Sequence, residues 1–114
     1  MPRTTLKEIR DGSVVDIDLT ASWMSERSLP LISEALKQNK TAEEIQLDLC
    51  GLSDGDFEII VDSLLNHPKL KRINLSNNDL TNVSFRKVIG SSKSFNFRHN
   101  AEEVQISWED GEKC

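Results

Sequence analysis

Leu70-Lys71-Arg72-Ile73-Asn74-Leu75-Ser76-Asn77-Asn78-Asp79-Leu80 is the stretch on which the reading of this chain turns. Its apolar residues fall at positions one, four, six and eleven, with an asparagine at nine. Ile73 and Leu75 alternate with Arg72, Asn74 and Ser76, which is the period of a strand with one buried face. Stepping back 28 residues lands on Ala42, Ile45, Leu47, Cys50 and Leu52. Another 28 lands on Val14, Ile17, Leu19, Ser22 and Met24. Three copies agree in chemical type at one period without a gap. Such a repeat outranks local signals, because it dictates the architecture.

The period continues beyond the strand. Leu29, Phe57 and Phe85 are 28 apart, as are Ile32, Ile60 and Val88. Leu36 and Leu64 extend the series, and Ser92 ends it. Within a copy these residues stand at i, i+3 and i+7, one face of a helix. Each unit therefore reads as a short strand, a turn and an amphipathic helix. Ser53-Asp54-Gly55-Asp56 and Thr81-Asn82 supply cap-type side chains before the second and third helices. Pro30 suits the first turn of the first helix. His67-Pro68 stops the second helix, and Gly90 with the serines after it loosens the end of the third.

This pattern resembles the leucine-rich repeat, and its 28-residue length with helical connections resembles the ribonuclease-inhibitor-like type. The third copy carries the likeness best. The second has Cys50 in place of the asparagine, and the first has Ser22 and Met24. The resemblance implies an α/β fold: a short leucine-rich-repeat solenoid with a parallel β-sheet on the concave side and α-helices on the convex side. It also implies that Asn78 satisfies backbone groups inside its turn. Residues 1–13 are expected to form an N-terminal cap. Residues 14–90 hold three repeats, at 14–41, 42–69 and a partial 70–90. Residues 91–114 are expected to be a connection, a closing strand and a tail. In that scheme Val104-Gln105-Ile106-Ser107-Trp108 is the fourth strand, reached by a 31-residue step. Phe95 and Phe97 are tucked against the third unit within the connection.

Composition limits the function. The 114 residues carry 14 Lys and Arg against 19 Asp and Glu, a formal charge of −5. Nucleic-acid binding needs a basic face, so the expectation is no nucleic acid. No apolar run approaches the roughly 20 residues that span a bilayer, so no membrane is expected. Residues 1–10 contain charges and no apolar h-region, unlike a secretory signal. Cys50 and Cys114 form no disulfide framework or metal cluster. An intracellular, cytoplasmic setting is expected, with microbial secretion by a non-classical route left open.

Parallel stacking turns equivalent residues into columns about 4.8 Å apart. Asp16, Glu44, Arg72 and Glu103 form one column. Asp18, Gln46, Asn74 and Gln105 form the next, and Thr20, Asp48, Ser76 and Ser107 the third. Concave faces are where solenoids bind ligands. The candidate partner-binding residues are Asp16, Asp18, Thr20, Trp23, Glu44, Gln46, Asp48, Arg72, Asn74 and Ser76. The preponderance of carboxylates suits a protein partner with a basic surface. Trp23 reads either as an interface anchor or as a plug for an end of the solenoid, and Trp108 as a plug.

No catalytic constellation is visible. Cys50 lacks a base, and His67 reads as a solvated or capping residue. Asp54-Gly55-Asp56 lacks the later ligands of a calcium loop and reads as a helix start. No metal ligands, cofactor or phosphate loop are indicated. The expected function is a non-catalytic protein–protein interaction module, an adaptor or a microbial effector. Its rivals are a recognition arm or subunit of a larger complex or enzyme, and a self-associating structural protein. The initial Met and the absence of a long tail lean toward a complete product.

Overall fold

The computed structural model describes residues 4–101. The elements run α1 (Leu6–Asp11), β1 (Asp16–Asp18), α2 (Ser28–Gln38), β2 (Glu44–Gln46), α3 (Asp54–Leu65), β3 (Arg72–Asn74), α4 (Asn82–Val88) and β4 (Ser94–Asn96). The strands form one parallel sheet in chain order, β1-β2-β3-β4. The register pairs Asp16 with Glu44 and Glu44 with Arg72, so 28 residues separate neighbours in the first three strands. Helices lie on the convex side and the sheet on the concave side: a short α/β solenoid.

The fourth strand arrives early. Arg72 pairs with Ser94, only 22 positions on. The stretch read as a connection thus contains β4, with Phe95 and Phe97 as its inward residues. The physical reason lies in the preceding helix. α4 has 7 residues where α3 has 12, so the return path to the sheet is shorter. Residues 104–108, the expected closing strand, lie outside the described residues. Glu103, Gln105 and Ser107 are there too, and their expected column places are taken by Ser94, Asn96 and Arg98.

The core lies between sheet and helices. Ile17, Ile45 and Ile73 are fully buried in the strand centres, with Leu47 and Leu75 beside them. Leu29, Leu36, Phe57, Ile60 and Leu64 meet them from the helices. At the last unit, Phe97 is fully buried and takes edge contacts from Phe57 and Phe85 at centroid distances of 6.3 and 5.6 Å. α1 begins with a capping box between Thr5 and Glu8 and buries Ile9. Ser53 and Asp56 form a capping box at α3, and the Thr81 hydroxyl accepts the Val83 N–H at α4. Asp54 joins two units: its carboxylate accepts the Thr81 N–H and both the Thr81 and Ser84 hydroxyls.

Each strand leaves through the same turn. Ala21, Leu49, Asn77 and His99 all adopt left-handed backbone angles, with φ from 56 to 59°. Their spacing is 28, 28 and 22, which repeats the strand steps. The turn is then filled by the residue that follows. Asn78 Nδ2 donates to the carbonyls of Leu47, Leu75 and Ser76, and its Oδ1 accepts the N–H groups of Cys50 and Leu52. Asn100 repeats this one unit later: Nδ2 donates to the Leu75 and Phe97 carbonyls, and Oδ1 accepts the Leu80 N–H. At Cys50 a thiol reaches the Leu19 carbonyl at 3.1 Å.

On the helix side a second ladder links the loops. Asn39 Nδ2 donates to the Ile9 carbonyl, and its Oδ1 accepts the Thr41 and Ala42 N–H groups. His67 Nε2 lies 2.9 Å from the same Oδ1, and His67 Nδ1 accepts from the Lys69 and Leu70 N–H groups. That pattern requires a neutral ring protonated at Nε2. His67 is buried, so it caps the loop rather than facing solvent. Lys93 completes the ladder by donating to the His67 and Leu70 carbonyls.

Candidate protein-binding face

The strands are three residues long, and their outward side chains make the sheet face. The first column is Asp16, Glu44, Arg72 and Ser94, and the second is Asp18, Gln46, Asn74 and Asn96. Thr20, Asp48, Ser76 and Arg98 occupy equivalent places just past the strands. Each of Thr20, Ser76 and Arg98 donates its backbone N–H to the carboxyl or amide oxygen two residues earlier. The columns through the third strand therefore have the spacing read in the sequence, and only the fourth member of each differs.

The face is knitted across its columns. Gln46 Nε2 donates to Asp16 Oδ1 at 3.1 Å, and Asn74 Nδ2 to Gln46 Oε1 at 3.2 Å. The Thr20 hydroxyl donates to Asp48 Oδ1 at 2.9 Å. Arg72 Nη2 meets Glu44 Oε2 at 2.7 Å, and that hydrogen bond holds the Glu44 carboxyl below its ordinary value. A partner displacing this pair would have to satisfy both charges.

The charges are graded. Asp16, Asp18, Glu44 and Asp48 lie on or just past β1 and β2, whereas Arg72 and Arg98 lie on or just past β3 and β4. Replacing Glu103 and Ser107 by Ser94 and Arg98 makes the face less acidic than the sequence register suggested. Ser76 is buried, with its hydroxyl donating to Asn74 Oδ1 at 2.7 Å. That bond fixes the Asn74 carboxamide on the face. Asn96 and Arg98 are the members that sequence reasoning missed. The signal was present: Phe95-x-Phe97-x-x-Asn100 has the same internal spacing as Ile73-x-Leu75-x-x-Asn78.

Trp23 sits at the rim of the turn side and is 81% exposed. Its ring lies against Gly51, where an added Cβ would meet Trp23 Cζ3 at 2.5 Å. Gly51 also has φ of 70°, so two independent constraints select glycine. The indole is thus seated on a neighbouring repeat while presenting its outer face. Trp108 lies outside the described residues.

Among the described residues, no three His, Cys, Asp or Glu side chains converge as a metal site. No helix among them is long and apolar enough to cross a membrane.

Fold and face together define a small leucine-rich-repeat-like solenoid with a polar, hydrogen-bonded concave sheet. Solved structures share this fold, and two illustrate the likeness. Leiomodin-1 actin-binding site 2 superposes with a TM-score of 0.69 at 18% identity, over 85% of this chain and 61% of that one. The tropomodulin C-terminal domain of Caenorhabditis elegans gives 0.71 at 17% identity, over 95% of this chain and 69% of that one. The chain therefore spans about three-fifths of the leiomodin domain. No family profile matches the sequence, and no curated protein matches it. These likenesses correct the assignment to the ribonuclease-inhibitor-like type. The architecture is that of the tropomodulin and leiomodin domains, which are only leucine-rich-repeat-like. The 28-residue period suggested the other type because it samples only the first three strands. The 22-residue final step breaks it.

Proposed function

We propose that this chain is a non-catalytic protein-binding module whose partner contacts the concave sheet face and the Trp23 rim. The observation that supports this most is the face itself: ordered polar side chains of graded charge, adjoining a large aromatic side chain that is 81% exposed. Aromatic side chains held in place beside a charged field are typical interface anchors. The acidic β1–β2 side suits a basic partner surface. On this reading an intracellular setting is expected, where an adaptor or effector would act.

One of the structures sharing the fold is described as an actin-binding site, so actin is the first partner to test. Direct binding to purified actin should be measured at low and high salt. Asp18→Asn with Asp48→Asn is the informative variant. It removes two charges but keeps the acceptor oxygens for the Thr20 N–H and hydroxyl. Binding weakened by the pair and by Trp23→Ala, with unchanged thermal stability, is the expected result. Binding insensitive to all three substitutions would move the contact away from this face. No binding to actin at either salt would remove actin and leave the partner to be sought among other proteins.

A further inference from the structure

The loops that lead into the strands gather lysines in a chain whose net charge is −5. The residues just before the four strands, Val15, Glu43, Lys71 and Lys93, form a further column. Backbone bonds fix it. The Glu43 N–H donates to the Val15 carbonyl at 2.7 Å, the Lys71 N–H to the Glu43 carbonyl at 2.8 Å, and the Ser94 N–H to the Lys71 carbonyl at 2.8 Å. Parallel neighbours stand about 4.8 Å apart, so Lys71 and Lys93 are adjacent. Between the loops that enter β3 and β4 lies a groove of about 490 Å³, lined by Lys69, Lys71, Ser92 and Lys93, with Glu43 as its acidic residue. A smaller groove of about 160 Å³ is lined by Lys37 and Lys40, with Asp62 as its acidic residue. Pro68 lines both, so the two grooves meet along one strand-entry edge.

We propose that this strand-entry edge is a second docking surface, whose occupant is a carboxylate-rich segment of a partner protein seated across Lys69, Lys71 and Lys93. Three observations favour this occupant. First, the cations are largely uncommitted. Lys71 meets Glu43 at 3.6 Å, but their side chains are 64% and 40% exposed, and such a pair holds weakly. Among the described residues, Lys37, Lys40, Lys69 and Lys93 pair with no carboxylate. Second, Lys93 is held in place. Its Nζ donates to the His67 and Leu70 carbonyls at 2.7 and 2.8 Å, which uses two of its three N–H groups. The side chain is half-buried, and burial pushes its pKa below the ordinary lysine value. A fixed cation that has lost hydration gains most from an incoming carboxylate, through a charge-assisted hydrogen bond. Third, the chemistry of the edge selects carboxylates over phosphates. The cations lining both grooves are all lysines, point charges without the planar fork that reads phosphate. Glu43 and Asp62 interrupt them, so the edge lacks the unbroken basic face that a nucleic acid needs. Burial, followed by the charges of Lys93 and Lys40, lowers the His67 pKa, so the two grooves share one positive field. The acidic side of the sheet face and this edge therefore attract opposite partner surfaces.

The inference is independent of the concave-face reading. Its test is titration of a fluorescein-labelled oligoglutamate peptide of about ten residues with the full chain at low salt, read by anisotropy, with amide shifts followed by NMR. Binding is expected, with shifts centred on Lys69, Leu70, Lys71 and Ser92. Lys69→Gln with Lys71→Gln should weaken it at least about tenfold. Both side chains are exposed, so thermal stability should be unchanged. Lys7→Gln with Arg27→Gln removes the same charge from α1 and the start of α2, and should weaken binding less than about twofold. Asp18→Asn with Asp48→Asn should not weaken it, which separates this edge from the sheet face. The shift map is read in the unaltered chain, so the outcome does not depend on a variant folding. No binding tighter than about 1 mM would overturn the proposal. Shifts centred elsewhere, or an equal loss from the Lys7 and Arg27 pair, would overturn it too. So would tighter binding of a single-stranded DNA oligonucleotide of equal charge, since the occupant would then be a nucleic acid.

Discussion

The carboxamide of Asn78 bonds three carbonyls and two N–H groups of its own turn and the preceding one. Unpaired buried polar groups are costly, so Asn78→Ala should destabilise the fold by roughly 2–4 kcal/mol in denaturant titration. A change within about 0.5 kcal/mol would contradict this role. The role of Asn78 is legible in the sequence because the residue sits at a fixed distance from an alternating strand. Asn100 fills its turn in the same way, but it stands 22 residues on, where a fixed 28-residue frame expects nothing. Trp23 shows a different limit. Its place beside the turn is visible in the sequence, but its seat on Gly51 depends on the juxtaposition of two repeats. Composition cannot express that.

At the scale of elements, strands and turns keep a strict geometry and helices do not. The strands are three residues each, while the helices that return the chain range from 7 to 12. This is why the first three strands are readable from their period and the fourth is not: the signal for β4 is internal spacing, not distance from β3. The loops between helix and strand carry a pH dependence. Burial pushes the His67 pKa below its ordinary value, and the charges of Lys93 and Lys40 add to this. The neutral ring also accepts two backbone N–H groups at Nδ1, which protonation would forbid. The folded state therefore binds this proton less readily than the unfolded chain. The stability that results is full above the unfolded value of about 6.5 and is lost as pH falls through the lower folded value. Unfolding free energies at pH 7.5 and 5.0, compared with those of His67→Gln, should show a histidine-linked loss in the parent only. Parallel pH profiles for the two proteins would exclude His67 as the cause.

At the scale of the whole molecule, each repeat buries its apolar face only against its neighbours, so the units stand or fall together. Leu47 is fully buried at the join between repeats. Leu47→Ala should cost roughly 2–4 kcal/mol. Far-ultraviolet circular dichroism and Trp fluorescence should still report one shared transition. Separate transitions would show that the end unit unfolds alone. Net charge is also distributed differently from the sequence register. The sheet face holds Asp16, Asp18, Glu44 and Asp48 against Arg72 and Arg98, so it is polarised along the stack more than it is uniformly acidic. A partner reading this face would be oriented as well as attracted, and its approach would slow as salt screens the gradient.

The left-handed positions at Ala21, Leu49, Asn77 and His99 mark the same point in every unit whatever the length between them. Half of each unit therefore acts as a ruler and the other half as slack. Residues added or removed on the helical side change the path length without rephasing the strands, because the next turn re-enters at the same conformation. A chain built this way can acquire insertions on its outer surface and still present an unaltered inner one.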